Sequence, residues 1–362
     1  MTLPPLHAAL ERAVKFERDG KFFEAESLYR QLTQMAQPPE LAHLMYAHFK
    51  LMHGDYLDAW PHFMHRLADP YYRDRPSTGI AKPMMSDPNS PDAAGQTILV
   101  HMDEGMGDAI MCARYLPLLA ERFKHVIFQV YAGCRQFFEM VDPRIEVAED
   151  ATDLSEFDLH THLFNLPALF QTEVETIPPA HCFSVPDDLS QAWRKRLTEP
   201  GLKVGLVWQG APKHPRDNER SLPLSALIPL LKTDGVSFYS LQAGDSVEQI
   251  GALEEEVSIT PLHDDLTRLG DMSDARFTQT AAAIDNLDIV VTIDSVLSHL
   301  SGALGKPTWV LLSRVPDWRW MLDRDDSVWY PTARLFRCRE RFGWDEPVAA
   351  MAKALAEEAA RR

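Results

Sequence analysis

Residues 97–119 read TILVHMDEGMGDAIMCARYLPLL. An apolar run from Thr97 to Val100 breaks into a polar turn holding Gly105 and Gly107, and a stretch with apolar positions at Met111, Tyr115, Leu118 and Leu119 follows. A short buried strand, a glycine turn and a helix open a βαβ unit.

The same alternation recurs outward from this point. Apolar runs at Val126 to Val130, Val204 to Trp208, Val236 to Leu241, Leu287 to Ile293 and Thr308 to Leu312 are separated by helical stretches. Unbroken apolar strands are buried on both faces, which predicts parallel sheets between helices. Phe183 to Gly201, with Pro186, Pro200 and a charged helix-like stretch, divides the runs into two sets. The expected fold class is α/β, with two Rossmann-like lobes at 96–200 and 201–362 and the last helix a candidate to pack back on the first lobe.

Ahead of the lobes, a shift of 34 residues superimposes Leu10 on Leu44, Ala13 on Ala47, Gly20 on Gly54, Phe22 on Tyr56, Ala25 on Ala59 and Tyr29 on Phe63. That is a tetratricopeptide period, and it predicts an all-α module of two helix pairs over 1–68. A plain pair of helical hairpins is the simpler alternative. Residues 69–95 collect Pro70, Pro76, Pro83, Pro88 and Pro91 without a clear period and read as a linker or an extended wrap.

The 362 residues are 45% hydrophobic, enough for more than one core. The net charge of -17, from 53 acidic and 36 basic residues, argues against nucleic acid as a partner. Cys112, Cys134, Cys182 and Cys338 lack CxxC spacing, so neither a zinc knot nor a disulfide framework is expected. With charged residues through the first twenty positions and no apolar run of membrane-spanning length, the expectation is a cytoplasmic protein without a transmembrane segment.

In open parallel sheets, ligands bind beyond the C-terminal strand ends. Asp108, at the start of the helix after the first strand, is a candidate base, and its position equally fits a helix N-cap. Glu104 is the competing carboxylate. Gly105 and Gly107 lack the third glycine of a dinucleotide fingerprint.

In the second set, Trp208 and Gln209 lead into a loop with Lys213, Arg220 and Ser221, where cations and a helix start suit a diphosphate. Gln242 ends the next strand, and Asp294, Ser295 and His299 span a strand-to-helix turn. Each has a simpler reading as a cap, a core residue or a solvated side chain. Trp318, Arg319 and Trp320 fit a site wall or a core cluster equally. His160 and His162, two apart on one strand face, lack further metal-ligand spacing, and no metal is assigned.

Four stretches together carry a resemblance: DEGMGDAIMCARYLPLL (103–119), VGLVWQGAPKHPRDNERSLPL (204–224), IDSVLSHLSGALGKPTWVLL (293–312) and PDWRWMLDRDDSVWYPTARLFR (316–337). With the helix pairs they resemble bacterial tetratricopeptide-containing glycosyltransferases related to family 9, the heptosyltransferase-like group of glycosyltransferase-B fold. The resemblance implies inverting, metal-independent transfer from a nucleotide diphosphate sugar, as co-substrate and without a cofactor, to an acceptor nucleophile. It places Asp108 as acceptor-activating base, Arg220 at the phosphates, Gln242 at ribose or base, and Asp294, Ser295 and His299 in the donor loop.

The chain departs from the group's pattern at Asp103-Glu104, where Glu-Gln is common, and at Ser295 and Ser301, where Thr and Ala are usual. Both Asp108 and Glu104 therefore stand as candidate bases. The helical repeats suggest a protein or peptide acceptor, since such modules build concave binding surfaces. Two other readings remain: a non-catalytic nucleotide-binding scaffold that recruits a partner through its helices, and a sugar-nucleotide epimerase.

Overall fold

The computed structural model describes residues 5–38, 40–68, 80–149, 156–253, 257–262, 266 and 275–362. Residues 69–79, with Pro70 and Pro76 of the proline-rich stretch, lie outside them.

Four helices come first: α1 (Pro5–Arg18), α2 (Phe22–Thr33), α3 (Glu40–Met52) and α4 (Tyr56–Met64). Gly20 and Gly54 close the two pairs in the left-handed region, at φ 73° and 89°. Three of the pairs that coincide under the repeat shift are buried alike: Ala13 with Ala47, Ala25 with Ala59, and Tyr29 with Phe63. Tyr29 stacks on Tyr46 at 6.1 Å, which joins the first pair to the second.

The first sheet has four parallel strands, β1 (Thr97–His101), β2 (His125–Gln129), β3 (Ile145–Ala148) and β4 (Leu159–His162), in the order β3-β2-β1-β4. The second has six, β5 (Leu202–Leu206), β6 (Val236–Ser240), β7 (Ile259–Pro261), β8 (Ile289–Ile293), β9 (Thr308–Leu312) and β10 (Ala333–Arg337), also parallel, in the order β10-β9-β8-β5-β6-β7. The central β8 and β9 are buried at every position, as strands covered on both faces must be.

The strand orders fix where a ligand can sit. Chain order reverses between β1 and β4 in one sheet and between β5 and β8 in the other. Crossover helices on opposite faces part at these points and leave a crevice at the carboxyl strand ends.

Two placements differ from the reading of the sequence. Helix Asp187–Arg194, assigned to the first lobe, packs on the second-lobe helix Ala275–Asp285: Trp193 Nε1 donates to Gln279 Oε1 at 2.7 Å and Ser190 Oγ to Asp285 Oδ2 at 2.6 Å. The last helix, Asp345–Ala359, stays on its own lobe, burying Val348, Met351 and Leu355 beside Leu202, Leu230 and Trp309. Its apolar stripe fits the face of the sheet from which it emerges. In the proline-rich stretch, residues 83–85 run along the β4 edge, with Met85 N donating to His160 O at 2.8 Å and His160 N to Pro83 O at 3.0 Å.

The helical module is bolted to both lobes. Trp60 Nε1 donates to Thr172 O at 2.7 Å in the first, and Trp329 Nε1 of the second donates to Tyr56 Oη at 3.0 Å.

Candidate active site

A cavity of about 720 Å³ opens where the two switch points face each other. Its walls come from the segments after β1 (Gly105 to Asp108), β5 (Val207 to Arg220), β6 (Leu241 to Gly244), β8 (Asp294 to His299) and β9 (Ser313 to Arg319).

Asp108 lies in the first turn of α5 (Met106–Cys112). Its Oδ2 accepts the Gly105 N-H at 3.2 Å, closing a cap on its own helix. Its Oδ1 accepts from Arg319 Nη2, across the cleft. Arg319 also donates to Asp317 Oδ1, from Nη1 at 2.6 Å and from the backbone N at 3.1 Å. Cap and cleft carboxylate are thus one group. Burial pushes the Asp108 carboxyl above the ordinary aspartate range, against the opposing pull of Arg319. Burial works against Asp317 too, but Arg319 outweighs it there and holds that carboxylate low.

The second lobe faces Asp108 with α7 (Val296–Ala303), preceded by Asp294 and capped by Ser295, whose Oγ accepts the Leu297 N-H at 3.3 Å. Between them in sequence, the short α6 (Asp217–Arg220) carries Arg220, whose Nη1 donates to Asp294 O at 2.8 Å. Trp320 Nε1 donates to Asp294 Oδ1 at 2.9 Å. His299 Nδ1 lies 2.9 Å from Tyr330 Oη, and its ring stacks on Trp320 at 5.6 Å. Burial lowers the His299 pKa to about 3, so the ring is neutral near pH 7.

Two glycines permit this closeness. A Cβ on Gly107 would sit 2.9 Å from His299 Cδ2, and one on Gly210 would sit 2.6 Å from Arg220 Nη2.

Of the residues singled out in the sequence, Asp108, Gln209, Arg220, Gln242, Asp294, Ser295 and His299 line the cavity together. Gln242 spends its amide on the loop: Oε1 accepts from Trp208 N and Gln209 N at 3.0 Å each, and Nε2 donates to Gln209 O and Ala243 O. Four residues stand elsewhere. Trp208 is a core residue, because side chains alternate along an extended segment: Val207 and Gln209 face the cavity, and Trp208 is buried in the core that holds Leu206 and Leu222. Lys213 is exposed at a turn whose neighbours Pro212 and His214 line the wall. Ser221 Oγ accepts from Gly210 N and donates to Asp217 Oδ1, shaping the loop from behind. Glu104 turns from the cavity to accept from Arg66 Nη1 at 3.0 Å. Asp108 is therefore the cleft carboxylate of the two.

Arg216 and Asp317 line the cavity without having been singled out as binding residues, and Arg319 lines it as one of the wall candidates Trp318, Arg319 and Trp320. Arg319 does so as the polar member of its cluster, while Trp318 and Trp320 are core. His160 and His162 lie beside His101 at 5.4 and 5.7 Å, inside the first lobe.

No protein-family model matches the chain. Protein FlbA of Caulobacter vibrioides is 29% identical over 294 residues, covering 74% of this chain and 48% of that protein. The chain thus spans about half the length of this curated relative. Among solved structures, a glycosyl transferase family 9 protein from Veillonella parvula superimposes with TM-score 0.52 at 11% identity, over 75% of this chain and 98% of the other. ADP-heptose LPS heptosyltransferase II of E. coli gives TM-score 0.51 at 14% identity, over 73% and 100%. The two-sheet parallel α/β architecture of this chain is the fold of these heptosyltransferase-like enzymes.

Proposed function

We propose that this chain is a glycosyltransferase that moves a sugar from a nucleotide diphosphate donor to an acceptor nucleophile, with inversion and without a metal. The observation that carries the reading is the meeting of Asp108 from one lobe with Arg220 and the Asp294 to His299 turn from the other, around one cavity at two switch points. Asp108 is the base. It takes the acceptor proton as the acceptor oxygen bonds to the anomeric carbon, and the bond from that carbon to the diphosphate oxygen breaks on the opposite face. Arg216 and Arg220 face the charge that develops on the leaving diphosphate. The raised Asp108 pKa strengthens it as a base, and Arg319 keeps it ionised and aimed.

The helical module, read as tetratricopeptide-like, is proposed to border the acceptor and to favour a polypeptide one. A nucleotide-binding scaffold would also account for the ion pair that engages Asp108, since a pair needs no turnover. Incubation with ADP-, UDP- and GDP-sugars separates the two; ADP-sugars belong in the panel because the E. coli neighbour is an ADP-heptose enzyme. Transfer or slow donor hydrolysis that survives EDTA is expected. Asp108→Asn should lower kcat by about 10²-fold or more with nucleotide binding retained. A donor that binds and never turns over would establish the scaffold instead.

A further inference from the structure

The helical module reaches the turn that holds Asp108. Arg66, just after α4, has a fully buried side chain. Its Nη2 donates to Asp103 Oδ2 at 2.9 Å and to Asn165 Oδ1 at 2.7 Å, and its Nη1 donates to Glu104 Oε1 at 3.0 Å. Asp103 Oδ1 in turn accepts the Phe164 N-H at 3.3 Å. One planar guanidinium therefore grips both carboxylates that immediately precede Gly105, the residue whose N-H holds Asp108 Oδ2.

A second contact links it to the other side of Asp108. The Phe164 ring lies 5.4 Å from the Arg66 guanidinium and 5.4 Å from that of Arg319, the residue paired with Asp108. From this we propose that Arg66 is a positioning residue for Asp108, which makes the helical module a working part of the active site and more than a surface for partners. The proposal rests on the function given above. A fixed fork matches two carboxylates where a lysine ammonium cannot, and a misplacement of about 1 Å at a reacting group costs about 10²-fold in rate.

The test compares Arg66→Met, Arg66→Lys and the double variant Arg66→Met/Asp103→Asn in the full chain; the double variant removes the buried charge that would otherwise lose its partner. The readouts are kcat and KM for the nucleotide sugar turned over by the wild type, and amide hydrogen exchange along residues 101–112. A positioning role gives kcat lowered about 10- to 100-fold in the Met variants with donor KM within about 2-fold, an intermediate value for Arg66→Lys, and faster exchange confined to the turn and α5. Wild-type kcat in the double variant overturns the proposal. So does a loss spread over kcat, KM and exchange throughout the molecule, which marks a structural role alone. If the wild type turns over no nucleotide sugar, the proposed function fails, and the exchange pattern decides whether Arg66 orders the turn.

Discussion

Asp108 is held between opposing effects that a single substitution can separate: burial and the neighbouring Asp317 charge raise its pKa, while Arg319 and the Gly105 N-H lower it. A base works only when deprotonated, so kcat/KM should fall as pH drops through a value above the ordinary 3.8 of aspartate. Arg319→Met removes the largest opposing charge and should carry the acid limb to higher pH. An acid limb that stays in place in that variant would assign the titration to another group. Trp208 and Glu104 show why residue type alone misleads at this scale. Both stand in loops at the mouth of a switch point, and one is turned away by strand alternation, the other by Arg66.

Among the elements, the contact of α5 with α7 carries the cleft. Two helix starts approach from opposite lobes, and Gly107 is the residue that lets them. In Gly107→Ala the new methyl would press on the His299 ring, whose far side is fixed by Trp320 and Tyr330. Overpacking of this kind costs roughly 1–3 kcal/mol. Lower stability in urea is expected, together with weaker nucleotide binding, because the shift falls on the Ser295 turn; unchanged values for both would mean that the lobes separate freely there. The spacing of Gly105 and Gly107 was legible in the sequence as a tight turn, but the ring it makes room for lies nearly two hundred positions away and was not.

At the scale of the molecule, buried histidines tie stability to pH. Burial lowers His101 and His162 to about 4 and His299 to about 3, from 6.5. Below pH 6.5 the unfolded chain therefore binds more protons than the folded one, so this stability is complete above 6.5 and is lost as pH falls toward the folded values. The raised carboxyls of Asp108 and Asp294 oppose the trend. Tm should drop by more than about 5 °C between pH 7.5 and 5.5. A flat profile across that interval would mean that these rings accept protons in the folded state.

The sequence by itself determined the layered α/β class, the paired helices with their glycine turns, and the turns after β1, β5 and β8 that surround the cavity. These features are written in local periodicity, and period does not depend on distant partners. Tertiary structure alone decided which of the turn residues face the cavity, that Arg319 rather than open solvent meets Asp108, that the last helix stays on its own lobe, and that Arg66 of the helical module reaches the acidic turn. Each of these depends on what another segment places opposite, and a buried charge is fixed by its partner wherever in the chain that partner lies.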